Sequence, residues 1–365
     1  MKFTSNSRNF SEYVNDICSI LPRTSTKPVL QNILVEADEK TVTLSGTDQE
    51  IEISVTVRDK LDISETGKVL IQGQQFARII KEAGDVDIDF EQDGESLNIS
   101  TLHSHFNLKG VNPEEYTGLG TEKPQIEYKV SGPPLAEIIR KSSFAANREI
   151  KQIPTDGTLM EFTENCVTVV STDGKRLARG EWSVREITED YSIILPQKTA
   201  AAVVRTLGDS EEVWMRISDN AAVFENSQIR VSSRLVSGKF PDYRRVIPNE
   251  EGTKVKVDRE AFIHALRQVM TVMEADYMGV YIEVGTEKIK LYSDEAQTGS
   301  GESEVPAEIS GEGVKKKVNS SYLMDVLKGM EEEKIKFDIY SENTPLRFQE
   351  RKKYLYLLMP LMDNG

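Results

Sequence analysis

The sequence predicts an α+β protein made of three copies of one domain, with helices packed on antiparallel sheets. Three observations predict it. One pattern occurs three times, as QNILVEADEKTVTLSGTD, GTLMEFTENCVTVVSTD and MGVYIEVGTEKIKLYSD: an apolar run, an acidic turn, an alternating strand, then Ser or Thr and Asp. Its closing residues, Asp48, Asp173 and Asp294, are 125 and 121 residues apart. A second pattern keeps step: KVLIQGQQFARIIKEAG, YSIILPQKTAAAVVRTLG and VKKKVNSSYLMDVLKGM place Ile71, Leu195 and Val318 at spacings of 124 and 123. Third, six stretches with helical apolar spacing alternate with runs of strand periodicity. A period this long is domain-sized, beyond the unit of a solenoid.

The expected domains are 1–124, 125–251 and 252–365, each long enough for its own core. The polar, Gly- and Pro-containing stretches TGLGTEKP (117–124) and IPNEEGT (247–253) read as linkers. Helices are expected over about 6–23, 74–83, 133–151, 197–208, 258–273 and 320–330. Phe76, Ile79 and Ile80, and Leu135, Ile138 and Ile139, mark apolar faces. Pro133 and Pro134 suit a helix start, and Gly84 and Gly208 suit helix ends. VDIDFEQDGESLNIS and EVWMRISDNAAVF read as hairpins, and EAQTGSGESE as an exposed hairpin tip.

No run of about 18 apolar residues predicts a membrane span, and MKFTSNSRNF lacks the apolar stretch of a signal peptide. Cys18 and Cys166 fall in different repeats within apolar patterns and read as buried free thiols, so a cytoplasmic protein is expected. The net charge of −15 argues against a nucleic-acid partner. Its distribution argues the other way. The six helix windows hold thirteen Lys and Arg against eight Asp and Glu, so the acidity lies elsewhere. Arg78 and Lys81 share a helix face, as do Lys198 and Arg205, and Lys141 and Arg148 by their seven-residue spacing. Arg140, Lys151 and Arg267 are further cations of these windows. One reading is a solvated helix surface; the other is a basic surface that follows a phosphate backbone without reading bases.

The copies differ after the shared Asp. The first continues QEIEI and the third EAQTGSGE, whereas the second reads GKRLARG. The second also leaves through SSRLVSGKFPDYRRVIP; the first has a fainter LKGVNPEEYTGL, with Tyr116 matching Tyr243. The third ends in YLYLLMPLMDNG, where Leu355, Leu357, Leu358, Met359, Leu361 and Met362 crowd together. Part of this is a last core strand; the Met- and Leu-rich remainder is an adaptable contact edge.

At these residues the whole chain resembles the bacterial sliding clamp family, the beta subunit of DNA polymerase III. The resemblance rests on MKF, KPVLQNILVEA, SGTD, STDGKRLA, SGKFPDYRRVIP, VNSSYLMDVL and the Met-Pro segment. It implies three clamp domains in a head-to-tail homodimeric ring that encircles duplex DNA and tethers a polymerase, with helices lining the hole. It also implies a partner-peptide pocket for the alpha-type polymerase, the clamp loader and repair proteins. By motif match the pocket comprises Thr172, Gly174, Lys175, Arg176, Leu177, Pro241, Arg245, Val246, Tyr322, Leu357, Met359, Pro360 and Leu361. Arg23 is carried over as a DNA contact with a shifted register. Two departures stand out: Lys175 occupies a position where the family often has His or Asn-like residues, and the chain runs past Met-Pro through Met362, Asp363, Asn364 and Gly365.

No catalytic residues, cofactor or metal ligands are expected. SGKF lacks the upstream glycine and the Ser or Thr of a phosphate loop. His103 and His105 alternate on a strand, and neither they nor His264 complete a metal-ligand set. Two alternatives remain: a clamp paralogue with altered partners, and an acidic repeat-domain protein that binds peptides but not DNA.

Overall fold

The computed structural model describes all residues except 121, 147–155, 186, 188, 189, 275–277, 295–298, 341, 342 and 362–365. The chain forms two compact units, Met1–Glu137 with Leu195–Val236, and Ile138–Ile194 with Ser237–Gly365. The expected central repeat is therefore shared between them.

The first unit holds helices α1 (Arg8–Ile20), α2 (Gly73–Ala83) and α4 (Gln197–Leu207) and the first turn of α3 (Gly132–Ser143). Its five-stranded sheet runs Leu61–Glu65, Lys2–Asn6, Asp87–Asp93, Ser96–Ser100, His105–Leu108. Its nine-stranded sheet runs Gly110–Val111, Gly67–Gln72, Asn32–Ala37, Val42–Thr47, Ile51–Val57, Ile229–Arg234, Ala221–Glu225, Val213–Ile217, Ile126–Val130. Alternation places Ile51, Ile53, Val55 and Val57 inward, each at most 3% exposed. Phe3 and Phe90 stack with centroids 4.6 Å apart, and Phe10 and Phe76 complete the cluster.

The second unit contains the rest of α3, with α5 (Arg259–Met270) and α6 (Ser320–Gly329). Its twelve-stranded sheet runs Tyr191–Pro196, Gly157–Thr163, Cys166–Thr172, Arg176–Ser183, Tyr354–Leu358, Leu346–Glu350, Lys334–Ile339, Thr253–Asp258, Glu302–Ser310, Lys288–Ser293, Gly279–Val284, Val314–Asn319. Phe337 packs between Phe262 and Phe348, and Tyr356 is fully buried.

Side-chain caps set the starts of three helices. Gln72 accepts from the Gln75 N–H, Asp258 from Ala261 and Asn319 from Tyr322. The two expected hairpins form, the first turning at Gly94 with φ 58°. Gly84 closes α2 as expected, with a positive φ of 73° that favours glycine. Gly208 closes α4 as expected, with φ −61°, and a Cβ there would lie 2.4 Å from the Val204 carbonyl oxygen. All of the helices but α2 are shorter than expected, yet the six hold ten Lys and Arg against six Asp and Glu. Cys18 is buried as expected, but Cys166, beside the turn of a hairpin, is only half-buried. No described helix is long and apolar enough to cross a membrane.

Candidate partner pocket and DNA-facing cations

The shared Thr-Asp pair builds the same turn twice. In the second copy the Thr172 hydroxyl donates to the Arg176 carbonyl at 2.6 Å and accepts from the Gly174 N–H. Asp173 Oδ1 accepts from the N–H groups of Lys175 and Arg176. In the first copy Thr47 bonds the Ile51 carbonyl and the Gln49 N–H, and Asp48 takes the N–H groups of Glu50 and Ile51. The third residue is left-handed in both, with φ 82° at Gly174 and 76° at Gln49. What differs is the side chain that leaves the turn: Ile51, 1% exposed, in one and Arg176 in the other.

Arg176 is held on all sides. Its Nε donates to Asp173 at 3.1 Å and its Nη1 to Asp325 of α6 at 2.6 Å. Its guanidinium lies 4.2 Å from the Tyr322 ring centre and 5.7 Å from that of Phe144. The next residue, Leu177, pairs in register with Leu357 of the last strand. Beyond that strand the tail is tied down by its backbone. The Met359 N–H donates to the Lys175 carbonyl at 2.9 Å, and the Leu361 N–H to the Lys317 carbonyl at 2.8 Å, with Pro360 bridging Val318.

A cavity of about 190 Å³ opens here, lined by Thr172, Gly174, Arg176, Leu177, Pro241, Asp242, Tyr243, Val246, Leu357 and Met359. Whole small-molecule sites measure roughly 300–1,000 Å³, so this cavity suits one or two apolar side chains of a longer ligand. Its wall is a 3₁₀ turn, Tyr243–Val246. The Tyr243 hydroxyl donates to Glu161 at 2.7 Å, and burial together with that carboxylate pushes the phenol up to about 12. Val246 is 47% exposed at the rim. Of the expected pocket residues, Lys175, Arg245, Tyr322, Pro360 and Leu361 are not in the lining. Arg245 points to solvent in a pair with Asp242, Lys175 is exposed, and Tyr322 supports Arg176. Asp242 and Tyr243 line the cavity, and Asp325 and Phe144 brace its arginine, although sequence reasoning assigned none of them to the site. The repeat pairing of Tyr243 with Tyr116 was the available signal; nothing in the sequence marks Asp325.

The expected DNA-facing cations that fall on described residues divide into three groups. Arg23, Arg78, Lys81, Arg140 and Arg267 are exposed. Arg23 and Arg78 line one hollow of about 710 Å³ with Asn15, Ser19, Gln72 and Gln74, whose side chains can all form hydrogen bonds, and with Cys18 and Leu21. Lys198 and Arg205 are also exposed but engaged: Lys198 with Asp48 and the Ile20 carbonyl, Arg205 with Asp16 at 2.6 Å. Lys141 departs from expectation. It is 2% exposed, bonded to the fully buried Glu350 at 2.6 Å, with the Tyr354 ring 4.6 Å away. It is an internal ion-pair partner, not a surface cation. Arg148 and Lys151 lie outside the described residues.

Family comparison covers nearly the whole chain. Residues 1–120, 129–242 and 244–362 match the N-terminal, central and C-terminal domains of the DNA polymerase III beta subunit. The chain belongs to the DNA polymerase III beta subunit family. The beta sliding clamp of Staphylococcus aureus is 28% identical over 356 residues, covering 94% of each chain. That of Staphylococcus epidermidis is 27% identical, covering 99% of each. The crystal structure of the beta subunit of Thermotoga maritima superposes with a TM-score of 0.92 at 25% identity, covering 99% of each chain. A Pseudomonas aeruginosa sliding clamp, solved bound to griselimycin, superposes at 0.93 with 24% identity, likewise over 99% of each. The α+β architecture of helices on antiparallel sheets is thus that of the beta subunits.

Proposed function

We propose that two copies of this chain close head to tail into a ring around duplex DNA, tether the replicative polymerase to it, and dock partner peptides in the Arg176–Met359 pocket. The activity is holding, without catalysis. Strand pairing carries this reading. In the first copy the strand after the Asp turn, Ile51–Val57, pairs with Ile229–Arg234, the last strand of the second copy. In the second copy the equivalent strand, Arg176–Ser183, pairs with Tyr354–Leu358, the last strand of the third. In the third copy the equivalent stretch, Glu302–Pro306, has a described partner on one side only. The strand His105–Leu108, near the end of the first copy, is likewise a sheet end, with Phe106 37% and the preceding Leu102 88% exposed. An unpaired edge of this kind invites another chain. A second copy supplies the missing partner at both ends, giving a heterologous interface that closes.

The pocket residues come as one constellation of apolar side chains around a braced arginine, which suits a short linear motif. The exposed Arg23, Arg78, Lys81, Arg140 and Arg267 suit sequence-independent phosphate contacts. The deciding experiment loads the protein onto closed circular DNA and then cuts the circle. Retention on the circle with release on cutting, together with a solution mass of two chains, is expected. Equal retention on linear and circular DNA defeats the topological reading.

A further inference from the structure

We propose that a hollow on the solvent face of the twelve-stranded sheet is a second docking site, and that it takes an acidic peptide segment. The hollow measures about 420 Å³ and lies across Glu302–Ser310, Thr253–Asp258, Lys334–Ile339 and Leu346–Glu350. Thr253–Asp258 and Lys334–Ile339 each have a strand on both sides, so their backbone groups are committed to the ladder. A ligand here meets side chains alone, and those side chains are mostly hydrogen-bond donors: Lys254, Lys256, Lys336, Arg347, Ser310 and Gln349.

Charge makes the case specific. Four cations line the hollow against two carboxylates, Glu308 and Asp338, in a chain of net charge −15. Both carboxylates are taken. Glu308 serves Lys256 at 3.0 Å and Lys334 at 3.5 Å, and Asp338 serves Arg347. Lys254 turns to Glu251 at 3.3 Å. Lys336 is exposed and has no carboxylate partner among the described residues. It stands directly opposite Lys256 in the antiparallel register. Like charges at directly opposed positions destabilise a sheet, and an anion between them removes the repulsion. Further along the same strand Glu302 and Glu304 pair with Lys290 and Lys288. A continuous phosphate backbone would run over those carboxylates, whereas a short acidic peptide segment need meet only the cations of the hollow. The site shares no residue with the Arg176–Met359 pocket.

The test is fluorescence anisotropy with a labelled hexapeptide of alternating aspartate and glutamate, its asparagine–glutamine counterpart, and an unlabelled single-stranded oligonucleotide as competitor. The acidic peptide should bind the full-length protein at low ionic strength and weaken as salt rises. Lys256→Gln with Lys336→Gln should lower its affinity roughly tenfold. Met359→Ala, in the other pocket, should leave that affinity unchanged, which separates this site from the proposed function. Equal binding of the neutral peptide, unchanged affinity in the double variant, or displacement of the peptide by the oligonucleotide through the same two lysines would each overturn the assignment.

Discussion

Replacing Lys141 by Met should destabilise the second unit by about 3–5 kcal/mol, the cost of leaving one member of a buried pair behind. Lys141 Nζ and Glu350 Oε2 are 2.6 Å apart, with side-chain exposures of 2% and 0%. At an effective dielectric constant near 20 their attraction is about 6 kcal/mol before desolvation. The variant keeps the shape of the aliphatic stem but strands the Glu350 carboxylate, leaving it the N–H groups of Glu331 and Glu332 as partners. Glu350→Gln added to Lys141→Met removes the stranded charge and should recover part of the loss, giving a coupling energy of roughly 1–3 kcal/mol. Trp182 lies in the second unit and Trp214 in the first. Urea denaturation of a Trp214→Phe background, followed by fluorescence at one protein concentration, therefore reports the second unit. The pH dependence carries a sign. Burial alone would raise the Glu350 carboxyl, but Lys141 and the two N–H groups outweigh it and hold it below its usual value. A depressed carboxylate stabilises above its unfolded pKa, and the contribution is lost as pH falls through the folded one. The parent should lose stability on acidification faster than the double variant. A loss below about 1 kcal/mol for Lys141→Met, or a double variant less stable than the single, refutes the buried-pair argument.

Removing Met359–Gly365 takes away the backbone tie to Lys175 and one pocket wall; polymerase-derived peptides should lose affinity at least tenfold by calorimetry while the solution mass stays that of the parent. Arg78→Ala with Lys81→Ala should weaken contact with duplex DNA and lower the salt slope by about 2, whereas Lys141→Met should leave the slope unchanged, as measured by binding over a salt series. The Cys18 thiol, pushed by burial up to about 12, should resist a thiol reagent at neutral pH in the native protein, while Cys166 reacts first; mass mapping of the labelled peptides reads the order.

Local structure was the part written in the sequence. The repeated Thr-Asp pair is a turn in the first two copies, and the break after it at Gly174–Leu177 falls where the cavity opens. Such features depend on residues three or four apart. Lys141 shows the opposite case. Helical spacing places it beside other cations, but its environment is set by Glu350, 209 residues later, and by Tyr354. Lys198 and Arg205 similarly find Asp48 and Asp16 in another repeat. Periodicity cannot foresee such partners, nor Asp325 under Arg176. It also marks strands without saying that the Asp-turn strands of the first two copies pair into the following copy.

That pairing has a consequence for synthesis. Strand Ile51–Val57 leaves the ribosome some 170 residues before Ile229–Arg234, and Arg176–Ser183 precedes Tyr354–Leu358 by a similar length. At translation rates of about 5–20 residues per second, each strand waits roughly 9–35 seconds with one ladder edge open. During that time a neighbouring nascent chain offers the same complementary strand. The pairings that extend the nine- and twelve-stranded sheets are thus the points at which two chains made on one message can become entangled.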